Sequence, residues 1–183
     1  KPILIEEVSL GNTQRVDAPQ FLSDWDLFEN LTELRPSNAV IPYEVNAPLF
    51  SDYAHKARFV SIPKNDQIGY RNSDILEIPE GGILIKNFYY PQDFSKPEGV
   101  RKILETRLLV KEEQEWKAYT YVWNDEQNNA ELAIAGAKIP ISWTDIHGDL
   151  QGIDYSVPNL NQCKSCHERG GKVMPIGFTA RQL

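Results

Sequence analysis

A five-residue segment near the end of the chain, Cys163-Lys164-Ser165-Cys166-His167, contains both cysteines and one of the three histidines. Side chains three or four residues apart share one face of a helix. Two thiols and an imidazole on one face can attach a flat cofactor covalently and ligate its metal. Because C-x-x-C-H is the attachment pattern of c-type haem, the spacing predicts one covalent haem c on Cys163 and Cys166, with His167 as the proximal iron ligand.

Paired cysteines also occur in thiol redox sites and in zinc sites. A thiol redox pair normally follows a strand in a βαβ unit, and the sequence shows no such unit. A zinc site needs four ligands, usually from a second cluster, yet only the isolated His55 and His147 remain. Thiol redox and zinc therefore stay as alternatives to haem. Since both cysteines lie in one motif, a scaffold held by disulfides is excluded.

The sixth iron ligand has two main candidates. Haem iron in electron-transfer proteins usually takes a Met or His opposite the proximal His. Met174 follows His167 by seven residues, and seven extended residues reach about 23–25 Å, just enough to pass round a haem edge. His55 is the other candidate. His147, in a polar turn, and Lys56 are weaker ones, and a five-coordinate iron stays open.

Charged and aromatic side chains add further expectations. Lys56, Arg58 and Arg181 are candidates to pair with haem propionates, with surface ion pairs as the competing interpretation. The chain also has 4 Trp and 8 Tyr. These rings favour core or haem packing in a β-rich fold, although a polysaccharide-binding platform is an alternative.

The elements that must position the motif are mainly β. Short runs of β-branched and aromatic residues alternate with turn residues, and aromatic side chains fall on both faces of residues 115–123, as in a central strand. We predict an antiparallel β-sandwich-like fold with a few short helices, one of them holding haem near the C-terminus. The predicted strands include Arg58–Ile62, Ile83–Tyr90, Ile103–Val110, Glu115–Trp123 and Lys138–Trp143.

The chain divides into three predicted parts of a single domain, residues 1–183. Residues 1–57 form an extended wrapping segment, residues 58–143 the β core, and residues 144–183 the haem-attachment segment. In the last part, residues 144–158 read as loop, and a helix begins near Asn159 and ends at Gly170-Gly171. A further short helix is expected after Pro175. We expect the whole to be a domain of a larger protein.

Composition narrows the class of partner. The net charge of −7 disfavours nucleic acid, because an acidic surface does not attract phosphates. No run of 18 apolar residues is present, so no membrane-spanning helix is expected. The first residues lack the apolar core of a signal peptide.

Several segments together resemble an uncharacterised family of bacterial multihaem c-type cytochromes. The resemblance implies a periplasmic or extracellular protein in which this domain precedes another haem domain, and it carries haem attachment to Cys163, Cys166 and His167. It implies no particular sixth ligand. Related domains are joined to carbohydrate-binding modules in polysaccharide-degrading bacteria. The similar segments are 157–163 with 175–177, 46–54 with Lys56 and 58–59, and 121–124.

The expected function is one-electron transfer through the haem to a redox partner protein or a neighbouring haem domain, in a polysaccharide-oxidising context. The axial ligand, burial and hydrogen bonds would set the reduction potential of the haem. A peroxidase-like haem enzyme or sensor with an open iron position is the first alternative. A polysaccharide-binding β module is the second.

Overall fold

The computed structural model describes residues 18–72 and 74–183, with the side chains of all of these except Leu160, Cys163 and Lys164. These residues are mainly antiparallel β structure, which confirms the predicted fold class. A short 3-10 helix (Leu22–Trp25) comes first. The other elements are β1 (Phe28–Asn30), β2 (Arg35–Pro36), β3 (Val40–Tyr43), β4 (His55–Ser61), β5 (Ile83–Pro91), β6 (Arg101–Glu112), β7 (Glu115–Trp123), β8 (Ala130–Leu132), β9 (Ala137–Thr144), β10 (Leu150–Val157), α1 (Leu160–His167), β11 (Glu168–Arg169) and β12 (Lys172–Val173).

Strands β3 to β8 form one six-stranded sheet in chain order, with every neighbouring pair antiparallel. Such a meander needs only turns between its strands, and strands rich in Val, Ile, Leu and aromatic residues suit its pleated surfaces. As predicted, β7 is an interior strand with aromatic side chains on both faces: Trp116 and Tyr121 point to opposite sides, and both are buried.

One side of this sheet, which we call the closed face, is the main hydrophobic core. It carries Phe59, Ile85 and Leu108, covered by Leu22 and Leu27 from the N-terminal part of the chain. Burial of these apolar side chains from water is the principal stabilising term.

The polar groups on the closed face have partners within it. The indole of Trp123 donates to the Thr106 hydroxyl at 2.9 Å, and that hydroxyl donates to the side-chain oxygen of Asn87 at 2.6 Å. A buried polar group is costly only when it is left unpaired. This network therefore fits within an apolar core.

The opposite side, which we call the cationic face, carries two separate apolar clusters. At one end Phe88 and Tyr90 pack against Trp143 and Tyr155 of the β9–β10 ribbon. Two strands rather than a full sheet thus form the second layer of the sandwich. The other cluster consists of Val60, Leu76, Ile78, Leu84, Trp116 and Phe178, with Met174 packed against it.

The predicted division of the chain needs correction at three places. Residues 18–57 contain β1, β2, β3 and the start of β4 rather than only extended coil, and residues 1–17 lie outside the described residues. Residues 144–158, predicted as loop, contain β10, whose Tyr155 and Val157 are buried. Gly152 and Pro158 hid this alternation in the sequence. After Pro175 the chain forms turns instead of a helix.

Candidate haem-attachment site

Helix α1 holds the motif, and its start is set by a local hydrogen-bond exchange. The Asn159 side chain accepts from the backbone N–H of Gln162 at 3.0 Å, and the Gln162 side chain accepts from the Asn159 backbone at 2.9 Å. This capping box satisfies donors that the first turn leaves free. The predicted helix start near Asn159 is confirmed, and the helix runs through Cys163 and Cys166 to His167. The Cys166 thiol is exposed and in no disulfide.

A tight hairpin follows the helix. Strands β11 and β12 pair antiparallel, and Gly170 and Gly171 turn the chain with φ of 64° and 79°, where glycine has no steric penalty. The helix itself ends earlier than predicted, at His167, so the glycines form the hairpin turn. The backbone N–H of Met174 donates to the His167 carbonyl at 2.6 Å. Met174 therefore lies directly opposite His167.

This hairpin also orients the imidazole. Nδ1 of His167 is 3.1 Å from the Met174 carbonyl oxygen. A carbonyl can only accept, so Nδ1 carries the proton and Nε2 keeps its lone pair. Burial lowers the pKa of His167. The Met174 hydrogen bond opposes this in part, and the charges of Lys86 and Arg107 add smaller lowering effects. A neutral imidazole with Nε2 unprotonated is the form that ligates a metal.

The two main sixth-ligand candidates occupy different places. Met174 is on the Nδ1 side of His167, and its side chain packs against the cluster around Trp116. Residues 168–173 are used in the hairpin, not in an extended path round a haem edge. His55 contacts the rings of Tyr89 at 5.6 Å and Phe94 at 5.1 Å. The identity of the sixth ligand stays a prediction.

Strand register does not place His55 with the cations that act on His167. Successive side chains of a strand alternate between faces, and in β4 it is Lys56, not His55, that shares a face with Lys86. Burial, and secondarily the charge of Lys56, lowers the pKa of His55. His55 is thus a neutral, partly buried ring held among aromatic side chains.

The remaining sequence candidates lie at the surface. His147 stands in an exposed turn where its backbone N–H donates to the Asp145 carboxylate at 2.8 Å. Arg181 is exposed, and its carbonyl accepts from the Asn46 side chain at 3.0 Å. Neither arrangement brings these side chains to His167.

Sequence reasoning missed two cations that do lie near His167, namely Lys86 and Arg107. Both come from central strands of the six-stranded sheet. A signal was available in the sequence. Lys86 directly follows the apolar run Ile83-Leu84-Ile85, in a strand too hydrophobic to be exposed on either face. A charge in such a strand indicates a specific environment.

On the cationic face, positive charge and exposed apolar surface occur together, a combination that suits an amphiphilic, carboxylate-bearing group such as haem. Lys86 and Arg107 offer positive charge beside the imidazole. A loop with exposed Leu49, Phe50 and Tyr53 offers apolar surface, at 81%, 66% and 59% exposure. The loop is fastened toward the cationic face, because Lys56 Nζ donates to the Leu49 carbonyl. Lys56 lies on that face.

A search of family models, of curated proteins and of solved structures finds no match to this chain. Among the described residues, no group of three or more His, Cys, Asp or Glu side chains is arranged to hold a metal ion. No helix within residues 18–72 and 74–183 has the length and apolar character needed to cross a membrane.

Proposed function

We propose that this chain is a c-type cytochrome domain that carries one covalent haem and transfers single electrons. The observation that carries the proposal is the alignment of Cys163, Cys166 and His167 along one capped helix, with the imidazole held by its Nδ1 so that Nε2 is available. The same resemblance to bacterial multihaem cytochromes supports a periplasmic or extracellular setting.

Each part of the motif has a separate task. The two cysteines would form thioethers to the porphyrin, and His167 would ligate its iron through Nε2. When bound, the haem supplies the reversible one-electron couple. The Met174 carbonyl orients the imidazole and, by accepting from Nδ1, raises its basicity as an outer-shell partner does. The hairpin thus orients the His167 imidazole as an iron ligand and has no part in a catalytic step.

The proposal is tested by producing the chain, exported, in cells that contain the haem-attachment machinery. We expect intact-mass analysis to show one haem added to wild type, and denaturing gels to retain a haem stain. The C163S/C166S double variant should lose the covalent haem, while S165A should retain it, since Ser165 is exposed on the same helix. Wild type with free thiols and no added mass would overturn the proposal.

A second function, a haem enzyme or sensor with an open iron position, is favoured by one observation. Met174, the candidate nearest to His167 along the chain, lies on the Nδ1 side of His167 and is packed in a cluster. Carbon monoxide added to the reduced protein distinguishes the two functions. Immediate binding in wild type would support the open position, whereas a spectrum that does not respond would support electron transfer through six-coordinate iron. Spectra of M174A and H55A then show which side chain, if either, is the ligand.

A further inference from the structure

Positive side chains are aligned across three adjacent strands of the cationic face. Arg58 of β4 is directly opposite Lys86 of β5, which is directly opposite Arg107 of β6. Lys56 lies two residues from Arg58 and on the same face. We call these four residues the cation cluster. Like charges directly opposite in a sheet destabilise it, and the chain as a whole has a net charge of −7.

The carboxylates near the cation cluster neutralise only part of it. Glu105, fully buried, binds Arg107 through both oxygens, at 2.5 and 2.8 Å, and also accepts from the Tyr155 hydroxyl at 2.5 Å. Arg58 has one contact of 3.3 Å with the exposed Glu44. These contacts account for the two guanidinium groups.

The two ammonium groups have no such carboxylate. The described residues provide Lys86 with neither an ion pair nor a hydrogen bond, although it is half-buried. Lys56 donates only to the Leu49 carbonyl and lies 5.8 Å from the Phe88 ring centre. Burial and the neighbouring cations lower the pKa of Lys86 to about 8. Two cations are thus held in an unfavourable place with no carboxylate partner among residues 18–72 and 74–183.

The position of the cation cluster limits what anion would complete it. Met174, which is hydrogen-bonded to His167, packs against the cluster that contains Leu84 on the cationic face. Leu84 is two residues from Lys86 in β5 and on the same strand face, so the cation cluster lies on the same side of the sheet as His167. The exposed loop of Leu49 and Phe50 lies at its other border, tied to Lys56. A ligand that satisfies both surroundings has an apolar body and two carboxylates. Partly buried positive charge that lacks a carboxylate among the described residues is a feature that a bound anion would compensate.

We propose that the cation cluster binds the two propionates of the haem held by Cys163, Cys166 and His167, with Lys86 and Lys56 as the principal partners. This inference rests on the proposed function. It replaces the sequence-based expectation for Arg181, which lies at the exposed C-terminus, and adds Lys86 and Arg107 to Lys56 and Arg58. A cation at the propionates disfavours the more positive ferric state, so it raises the reduction potential.

The experiment compares the haem-loaded wild type with K86M, K86R and the control K138M. Lys138 is an exposed lysine of β9, so its substitution removes the same charge from outside the cation cluster. The readouts are covalent haem content, reduction potential and the propionate bending modes in resonance Raman spectra. We expect K86M to lower the potential and shift those modes, K86R to restore most of both, and K138M to resemble wild type.

The outcomes separate the two proposals. Wild type without covalent haem would overturn the proposed function itself. Wild type with haem, but with K86M and K138M alike in potential and Raman spectra, would overturn only the propionate assignment. If K86M carries no haem, the free energies of unfolding of the K86M and wild-type apoproteins are compared. A K86M apoprotein at least as stable as wild type supports a lysine that serves the ligand, and a less stable one shows that Lys86 serves the fold and contradicts the inference.

Discussion

On the closed face of the six-stranded sheet, the Thr106 hydroxyl accepts from the Trp123 indole and donates to Asn87 within an apolar core. On the cationic face Lys86, the neighbour of Asn87 in β5, has cations opposite it on both adjacent strands. The polar groups of the closed face have hydrogen-bond partners within that face, whereas Lys86 on the cationic face has no ion pair among the described residues. Burial alone therefore does not define a hydrophobic core. Each buried polar group also needs a partner within that core.

Truncation on the closed face should have the largest effect on stability. Ile85 is fully buried there, so I85A should lower the free energy of unfolding by about 3–4 kcal/mol through lost burial and the cavity left behind. Urea denaturation of the apoprotein measures it. The control I134A, at a residue that is 54% exposed, should change it by less than about 0.5 kcal/mol. If I85A and I134A lowered the free energy of unfolding equally, the closed face would not be the main hydrophobic core.

Removal of the one buried carboxylate on the cationic face should rank second. E105Q leaves Arg107 without its bidentate partner, and breaking a buried pair costs about 3–5 kcal/mol. Because Arg107 is 30% exposed, we expect a loss of about 2–3 kcal/mol in urea denaturation. E126Q, in an exposed loop, is the control.

Combining E105Q with K86M tests whether the two substitutions have additive effects on the free energy of unfolding. Because Lys86 repels an Arg107 that has lost the Glu105 carboxylate, the double variant E105Q/K86M should be more stable than E105Q. A double variant less stable than E105Q would contradict the view that cation repulsion dominates this face.

A gain in stability is expected from Lys86 itself. K86M should stabilise the apoprotein at pH 7 by about 1–2 kcal/mol, since it removes a partly buried charge. Lys86 faces Arg107, Arg58 and Lys56, with Glu105 opposing them. Its pKa is about 8 in the fold and 10.5 unfolded, so between these values the unfolded chain binds more protons and wild-type stability rises with pH.

The advantage of K86M should therefore be full below pH 8 and shrink as the pH approaches 10.5. Thermal unfolding at pH 7 and pH 9.5 measures it, with K138M as the charge-matched control. An advantage that does not change with pH would show that the gain comes from packing rather than from charge.

The smallest effect should come from the cap of α1. N159A removes the acceptor for the Gln162 N–H and should weaken the helix by about 1 kcal/mol. Hydrogen exchange should show faster exchange in residues 160–167 and unchanged protection in β5. N161A, at an exposed position of the same helix, is the control. Loss of protection across the whole sheet would mean that α1 is integral to the closed core.

Strands with strong local patterns were predictable. Residues 115–123 form β7 with the predicted bounds, and β5 begins at Ile83 as predicted, because alternation and turn residues specify such segments locally. Strand β10 was missed, because Tyr155 and Val157 are buried only through packing against Phe88 and Tyr90, which are distant in the sequence. The hairpin after His167 was likewise taken as a helix end, because two glycines suit either structure.

The sequence by itself determined the C-x-x-C-H motif of Cys163, Cys166 and His167, since the motif depends on local spacing along one helix, and haem attachment to it stays a prediction. Only the tertiary structure decided what surrounds that motif. Arg58, Lys86 and Arg107 are 28 and 21 residues apart in the chain and meet because strand register sets them opposite one another. Long-range pairing is a property of the whole sheet, so no local pattern could have placed these charges beside the imidazole.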